Sequence, residues 1–142
     1  MKKSILYQLM ISFFLIGHVQ AEIRIDGRWF SAQQVDRGNV LFQANCAVCH
    51  KADASGTANW SKLDANDKYP PPPLNGTAHT WHHSLKILRR VIREGGIELG
   101  GSMPGFADKF NDKQILDILA WIQNHWSDEI YSAWIERYPL RK

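Results

Sequence analysis

The chain has 142 residues, a formal net charge of +3 and 44% apolar residues, enough for one ordinary domain. No clustered basic face is visible, which argues against a nucleic-acid partner. Part of the positive charge sits on Lys2 and Lys3, in a segment expected to be removed.

That segment, residues 1–21, has a basic start, an apolar run from Ile5 to Ile16 and small residues before Glu22. It reads as a secretory signal peptide cleaved near Ala21/Glu22. The apolar run, about a dozen residues, is shorter than the roughly 20 that a membrane helix needs. The mature protein, residues 22–142, is expected to be periplasmic, with no transmembrane span. It carries most of the six Trp, six Phe and four Tyr, bulk suited to a core wrapped around something large and flat.

In chain order, Ser31-Ala32-Gln33-Gln34 fits a capping box that opens a helix running to about Asn45. A long connection over 51–83 contains Pro70-Pro71-Pro72-Pro73, a stiff extended corner that cannot be helical. The next helix spans Ser84 to Arg93, with Leu88, Val91 and Ile92 inward and Gly95-Gly96 ending it. Residues 95–110 form a second long loop, rich in glycine. Asn111-Asp112-Lys113-Gln114 then opens a helix whose Ile115, Leu116, Ile118, Leu119, Ile122 and Trp126 make one broad apolar face. Ser127-Asp128 caps a short further helix, a C-terminal extension over about 127–142. No alternating run suggests a strand, and the class is all-α.

Cys46-Ala47-Val48-Cys49-His50 carries the chemistry. C-x-x-C-H is the attachment sequence for c-type haem. One helical turn sets two sulfurs to meet two vinyl groups along one porphyrin edge, and His50 presents an imidazole to the iron as proximal ligand. A disulfide or a thioredoxin-like pair uses the same two cysteines, but the latter belongs on a βαβ pattern that is missing. A zinc site would want two more ligands at paired spacing. Met103 is the one methionine of the mature chain and lies in Gly100-Gly101-Ser102-Met103-Pro104-Gly105-Phe106. A core gap-filler is expected on a helix face. A thioether between glycines suits a distal haem ligand.

These features together resemble a class I c-type cytochrome of the bacterial single-haem type, over about Gly38 to Trp126. The shared order is N-terminal helix, C-x-x-C-H, Pro-Leu-Gly loop, Met-Pro loop and C-terminal helix. The resemblance implies a cytochrome c fold, with first and last helices crossing around one covalently bound haem c. It places Gly38, Phe42 and Trp121 at that crossing. It also implies a proline carbonyl accepting a hydrogen bond from His50, which Pro72 in Pro72-Pro73-Leu74-Asn75-Gly76 matches, with Pro73 its neighbour. The cofactor-binding residues are then Cys46, Cys49, His50, Met103 and Pro72, with His50 and Met103 on the iron. The stretch 77–83 and the tail after Trp126 depart from the simplest members.

With both axial positions closed, the haem passes single electrons between periplasmic or membrane redox partners. The expected protein is a monomeric carrier and not an enzyme. Two other readings stand beside it. One is a haem-based sensor in which Met103 leaves the iron. The other is a dedicated electron-accepting subunit of a dehydrogenase or oxidase, with the aromatic tail 130–138 as docking element. His79, His82 and His83 are either a metal site or sixth ligand, or simply exposed or propionate-bonded. Trp60, Tyr69 and Trp81 either bond a propionate or pack the core. Arg89, Arg90 and Arg93 form a solvated helix face or steer an acidic partner.

Overall fold

A computed structural model describes Ile25 and residues 27–140. The expected signal peptide lies outside the described residues. Helix α1 (Ala32–Asn45) starts at a reciprocal capping box: Gln34 N–H donates to Ser31 Oγ and Ser31 N–H to Gln34 Oε1. It leads into α2 (Ala47–His50), a single turn. Helix α3 (Leu85–Glu94) is capped by Ser84 and stopped at Gly95. Helix α4 (Asp112–Asn124) opens on a second box, Asn111 with Gln114. Helix α5 (Asp128–Arg137) begins at Ser127. Two 3-10 turns, His79–His82 and Ile97–Leu99, interrupt the long connections. Among the described residues there is no strand, and an isolated bridge pairs Tyr69 with Gly101, so the class is all-α.

The principal packing is α1 on α4. Gly38 lets the two backbones meet, because a Cβ there would lie 1.9 Å from the Asp117 carbonyl oxygen. One turn on, Phe42 and Trp121 stack with ring centroids 4.1 Å apart. One residue before Gly38, Arg37 grips the buried Asp117 carboxylate with two hydrogen bonds of 2.7 and 3.0 Å. Two-pronged guanidinium–carboxylate contact adds geometric specificity to the crossing.

Helix α5 is part of the core. Trp134 is fully buried and Tyr131 nearly so, against Phe30 and Trp126. The Tyr131 and Trp134 rings are therefore not free to dock on another protein, and of the expected docking tail over 130–138 the half-buried Tyr138 and the outer face of α5 remain accessible. Periodicity at Ile130, Tyr131, Trp134 and Ile135 signals an apolar face; it does not say that the chain's own Phe30 and Trp126 cover it. Among the described residues no helix is long and apolar enough to cross a membrane.

Candidate functional site

Cys46 ends α1 and precedes α2; Cys49 and His50 lie on α2. The two cysteines are free thiols, not a disulfide. Cys46 is half-buried, and burial, helped by neighbouring Cys49 and opposed by Lys109, pushes its pKa up to about 11. Cys49 is exposed, and Val48 between them is 87% exposed. The turn thus presents one sulfur at the core edge and one at the surface.

His50 is buried, and its Nδ1 lies 3.0 Å from the Pro72 carbonyl oxygen. A carbonyl only accepts, so Nδ1 carries the proton and Nε2 keeps its lone pair. Burial holds the imidazole pKa below its ordinary value, against the opposing pull of the Pro72 carbonyl. The neutral ring therefore offers Nε2, which takes no hydrogen bond from the described residues, as a metal ligand.

The contact with Pro72 is built by the loop after α2. Lys51, Ala54 and Gly56 all take left-handed backbone conformations and fold the chain back. Gly56 N–H then donates to the His50 carbonyl, Thr57 N–H to Pro71 and Leu74 N–H to Ala54. Gly56 lies so close that a Cβ would sit 2.4 Å from the Pro72 carbonyl carbon. An isolated glycine in a polar loop was a visible signal for Gly56. Nothing in the sequence marked Lys51 or Ala54, since non-glycine residues seldom adopt that conformation.

Met103 reaches the same core from the other long loop. It is half-buried and packs, like Cys46, against the core cluster. Its carbonyl accepts from Gly96 N–H, while Phe106 N–H donates to Ile92 and Arg93 at the end of α3. Tyr69 N–H donates to the Gly100 carbonyl and ties this loop to the start of the proline run.

The other candidates separate. His79 stacks on Trp60 at 4.6 Å and meets the edge of His83, while His82 lies against Trp81. Among the described residues, no three His, Cys, Asp or Glu side chains converge on a metal position. Tyr69 is exposed. Arg89 and Arg93 share Asp112, and Arg90 pairs loosely with Glu94, around an open groove of about 430 Å³.

The family described as cytochrome C oxidase, cbb3-type, subunit III matches residues 33–122. The chain belongs to this family of c-type cytochrome domains. Such a domain is an electron carrier whose cofactor is haem c. Similar proteins include the thiosulfate dehydrogenase of Allochromatium vinosum, 34% identical over 89 residues that cover 62% of this chain and 30% of that protein. Another is the cytochrome c subunit of alcohol dehydrogenase (quinone) of Gluconacetobacter polyoxogenes, 25% identical over 99 residues, 65% of this chain and 19% of that protein. The chain spans less than a third of the length of these relatives. No solved structure gives a significant match.

The residues present fit the cofactor that the family implies. Two free thiols flank one turn, a buried imidazole has its Nδ1 occupied and its Nε2 lone pair available, and a thioether packs on the same core. These are the donor types that haem c takes.

Proposed function

We propose that this cytochrome domain carries one haem c, held by thioether bonds at Cys46 and Cys49, with His50 and Met103 as axial ligands, and moves single electrons between protein partners in the periplasm. When bound, the cofactor supplies an iron centre that gains or loses one electron. His50 provides Nε2, and Pro72 fixes the ring and its tautomer while raising its basicity. Met103 would supply the second protein ligand to the iron, which suits the centre to electron transfer rather than to binding a substrate. The observation that carries this reading is the buried His50 with Nδ1 on the Pro72 carbonyl, immediately after two free thiols.

The purified protein should stay red through denaturing, reducing electrophoresis, with one haem per chain by mass. Its oxidised spectrum should show the weak near-infrared band of thioether ligation. Loss of all colour on the gel would remove covalent attachment. A mature N-terminus at Glu22 tests export.

Both relatives named above are, by their printed names, dehydrogenases or a dehydrogenase subunit. That favours a second reading: the chain as electron-accepting partner of one particular dehydrogenase. Co-purification with a larger oxidoreductase separates this from a freely diffusing carrier.

A further inference from the structure

We infer that the segments flanking the family-matched region, residues 28–30 and 126–138, form a brace that holds the proline run against His50, with Trp126 as the positioning residue. The inference rests on His50 being the proximal ligand.

Pro70 to Pro73 have no N–H groups, so the run cannot be held by its own donors; its carbonyls are the available handles. Four successive carbonyls each meet one donor. Thr57 N–H takes Pro71, His50 Nδ1 takes Pro72 at 3.0 Å, Thr80 Oγ1 takes Pro73 at 2.9 Å and Trp126 Nε1 takes Leu74 at 2.9 Å. Farther along, Tyr138 Oη donates to the His82 carbonyl and Trp134 Nε1 to that of His83. Three of these donors, Trp126, Trp134 and Tyr138, lie beyond residue 122, where the family match ends.

Trp126 is itself fixed. It is buried, and a Cβ at Gly76 would come within 3.2 Å of its ring. Arg28 donates to the Trp126 carbonyl, the Gln123 carbonyl and Asp128, at 3.1, 3.1 and 2.7 Å. The same guanidinium covers the Tyr131 ring at 4.1 Å, and Tyr131 Oη accepts from Trp29 N–H. The stretch 77–83 and the aromatic tail, the two departures from simpler cytochromes, therefore form one unit. Its effect reaches the site through Leu74, two residues from the carbonyl that polarises His50. A fixed partner carbonyl sets the basicity of the imidazole and, through it, the potential of the iron.

The test uses the haem-loaded, full-length protein. Trp126→Phe keeps the buried ring and deletes the donor. Exchange of the His50 Nδ1 proton, followed by NMR in the reduced protein, should quicken roughly two- to tenfold, the factor one ordinary hydrogen bond is worth. The reduction potential should rise, because a looser Pro72 contact makes the imidazole a poorer electron donor. Trp134→Phe, whose donor meets His83 rather than the run, should move exchange and potential in the same direction but less, while Val40→Ala, exposed and outside the brace, should move neither. If Trp126→Phe yields no holoprotein, Arg28→Lys carries the test, with a smaller change of the same sign. A correctly ligated Trp126→Phe protein with parental exchange and potential overturns the brace alone. A parent protein without histidine ligation from His50 overturns the brace together with the reading beneath it.

Discussion

Gly38→Ala tests the crossing on which the fold depends. The added Cβ would stand 1.9 Å from the Asp117 oxygen and 2.9 Å from Trp121 Cβ, where ordinary contact begins near 3.4 Å. Helices α1 and α4 must then part by roughly 1.5 Å, and the atom struck is backbone, which cannot swing aside. Overpacking of this kind costs about 3 kcal/mol at the upper end of its usual range. Parting the Phe42–Trp121 pair adds about 1 kcal/mol. Alanine's better helix propensity returns about 1 kcal/mol, leaving a net loss of about 3 kcal/mol. For a domain of this size that lowers the thermal midpoint by more than about 10 °C, measured on the holoprotein by far-ultraviolet circular dichroism. Val40→Ala, at an exposed position of the same helix, should change stability by no more than a few tenths of a kcal/mol. A Gly38→Ala protein as stable as the parent would refute the reasoning, since it would mean that the helices do not touch at this residue.

Met103→Ala should abolish the near-infrared band, lower the reduction potential and let the reduced protein bind carbon monoxide; an unchanged spectrum would transfer the sixth ligand elsewhere. Gly56→Ala combines a left-handed backbone with a Cβ 2.4 Å from Pro72, so it should lower the yield of holoprotein and speed exchange of the His50 Nδ1 proton; parental values for both would sink the idea. His79 and His83 are each held below the ordinary histidine pKa, by burial first and then by neighbouring imidazoles, His83 and His82 for the former and His82 for the latter. Their neutral forms are the ones that fold, so the stability they contribute is full above pH about 6.5 and is lost as pH falls through the lowered folded values. The thermal midpoint should therefore drop between about pH 7 and pH 5, less steeply in His79→Asn, and an identical slope in that variant would count against the assignment.

The helices were legible because their signals are local. Ser31 with Gln34, Asn111 with Gln114, and the caps Ser84 and Ser127 name their own helix starts, and the structure has α1, α3, α4 and α5 beginning there. The C-x-x-C-H segment was legible because its chemistry lies within five consecutive residues. The contacts that position it were not, because they join residues far apart in the chain: Gly56 on Pro72, Trp126 on Leu74, Arg28 on the end of α4. Arg37 illustrates the same limit, since its place opposite Asp117 depends on how α1 meets α4 and no local pattern encodes that. The P-x-L-x-G resemblance points to Pro72 rather than its neighbour Pro73, and the structure has His50 on the Pro72 carbonyl. Adjacent carbonyls in an extended run point to different sides, and the fold turns Pro72 to His50 and Pro73 to Thr80.

The two long loops are held by different means, and the difference bears on how the site can be altered. The Met103 loop is fastened by backbone hydrogen bonds, Gly96 to Met103 and Phe106 to the end of α3, all inside the family-matched region. Side-chain changes at the surface leave such bonds in place, so that loop should respond chiefly to substitution of its glycines. The proline run lacks N–H groups and is fastened by one backbone donor, Thr57 N–H on Pro71, and by side-chain donors at His50, Thr80 and Trp126, the last outside the match. The Thr80 and Trp126 donors can each be deleted, by Thr80→Val and Trp126→Phe, without touching the His50 ligand. The proximal contact is consequently the one that point substitutions can adjust in steps, and residues far from the C-x-x-C-H turn along the chain are the ones that adjust it.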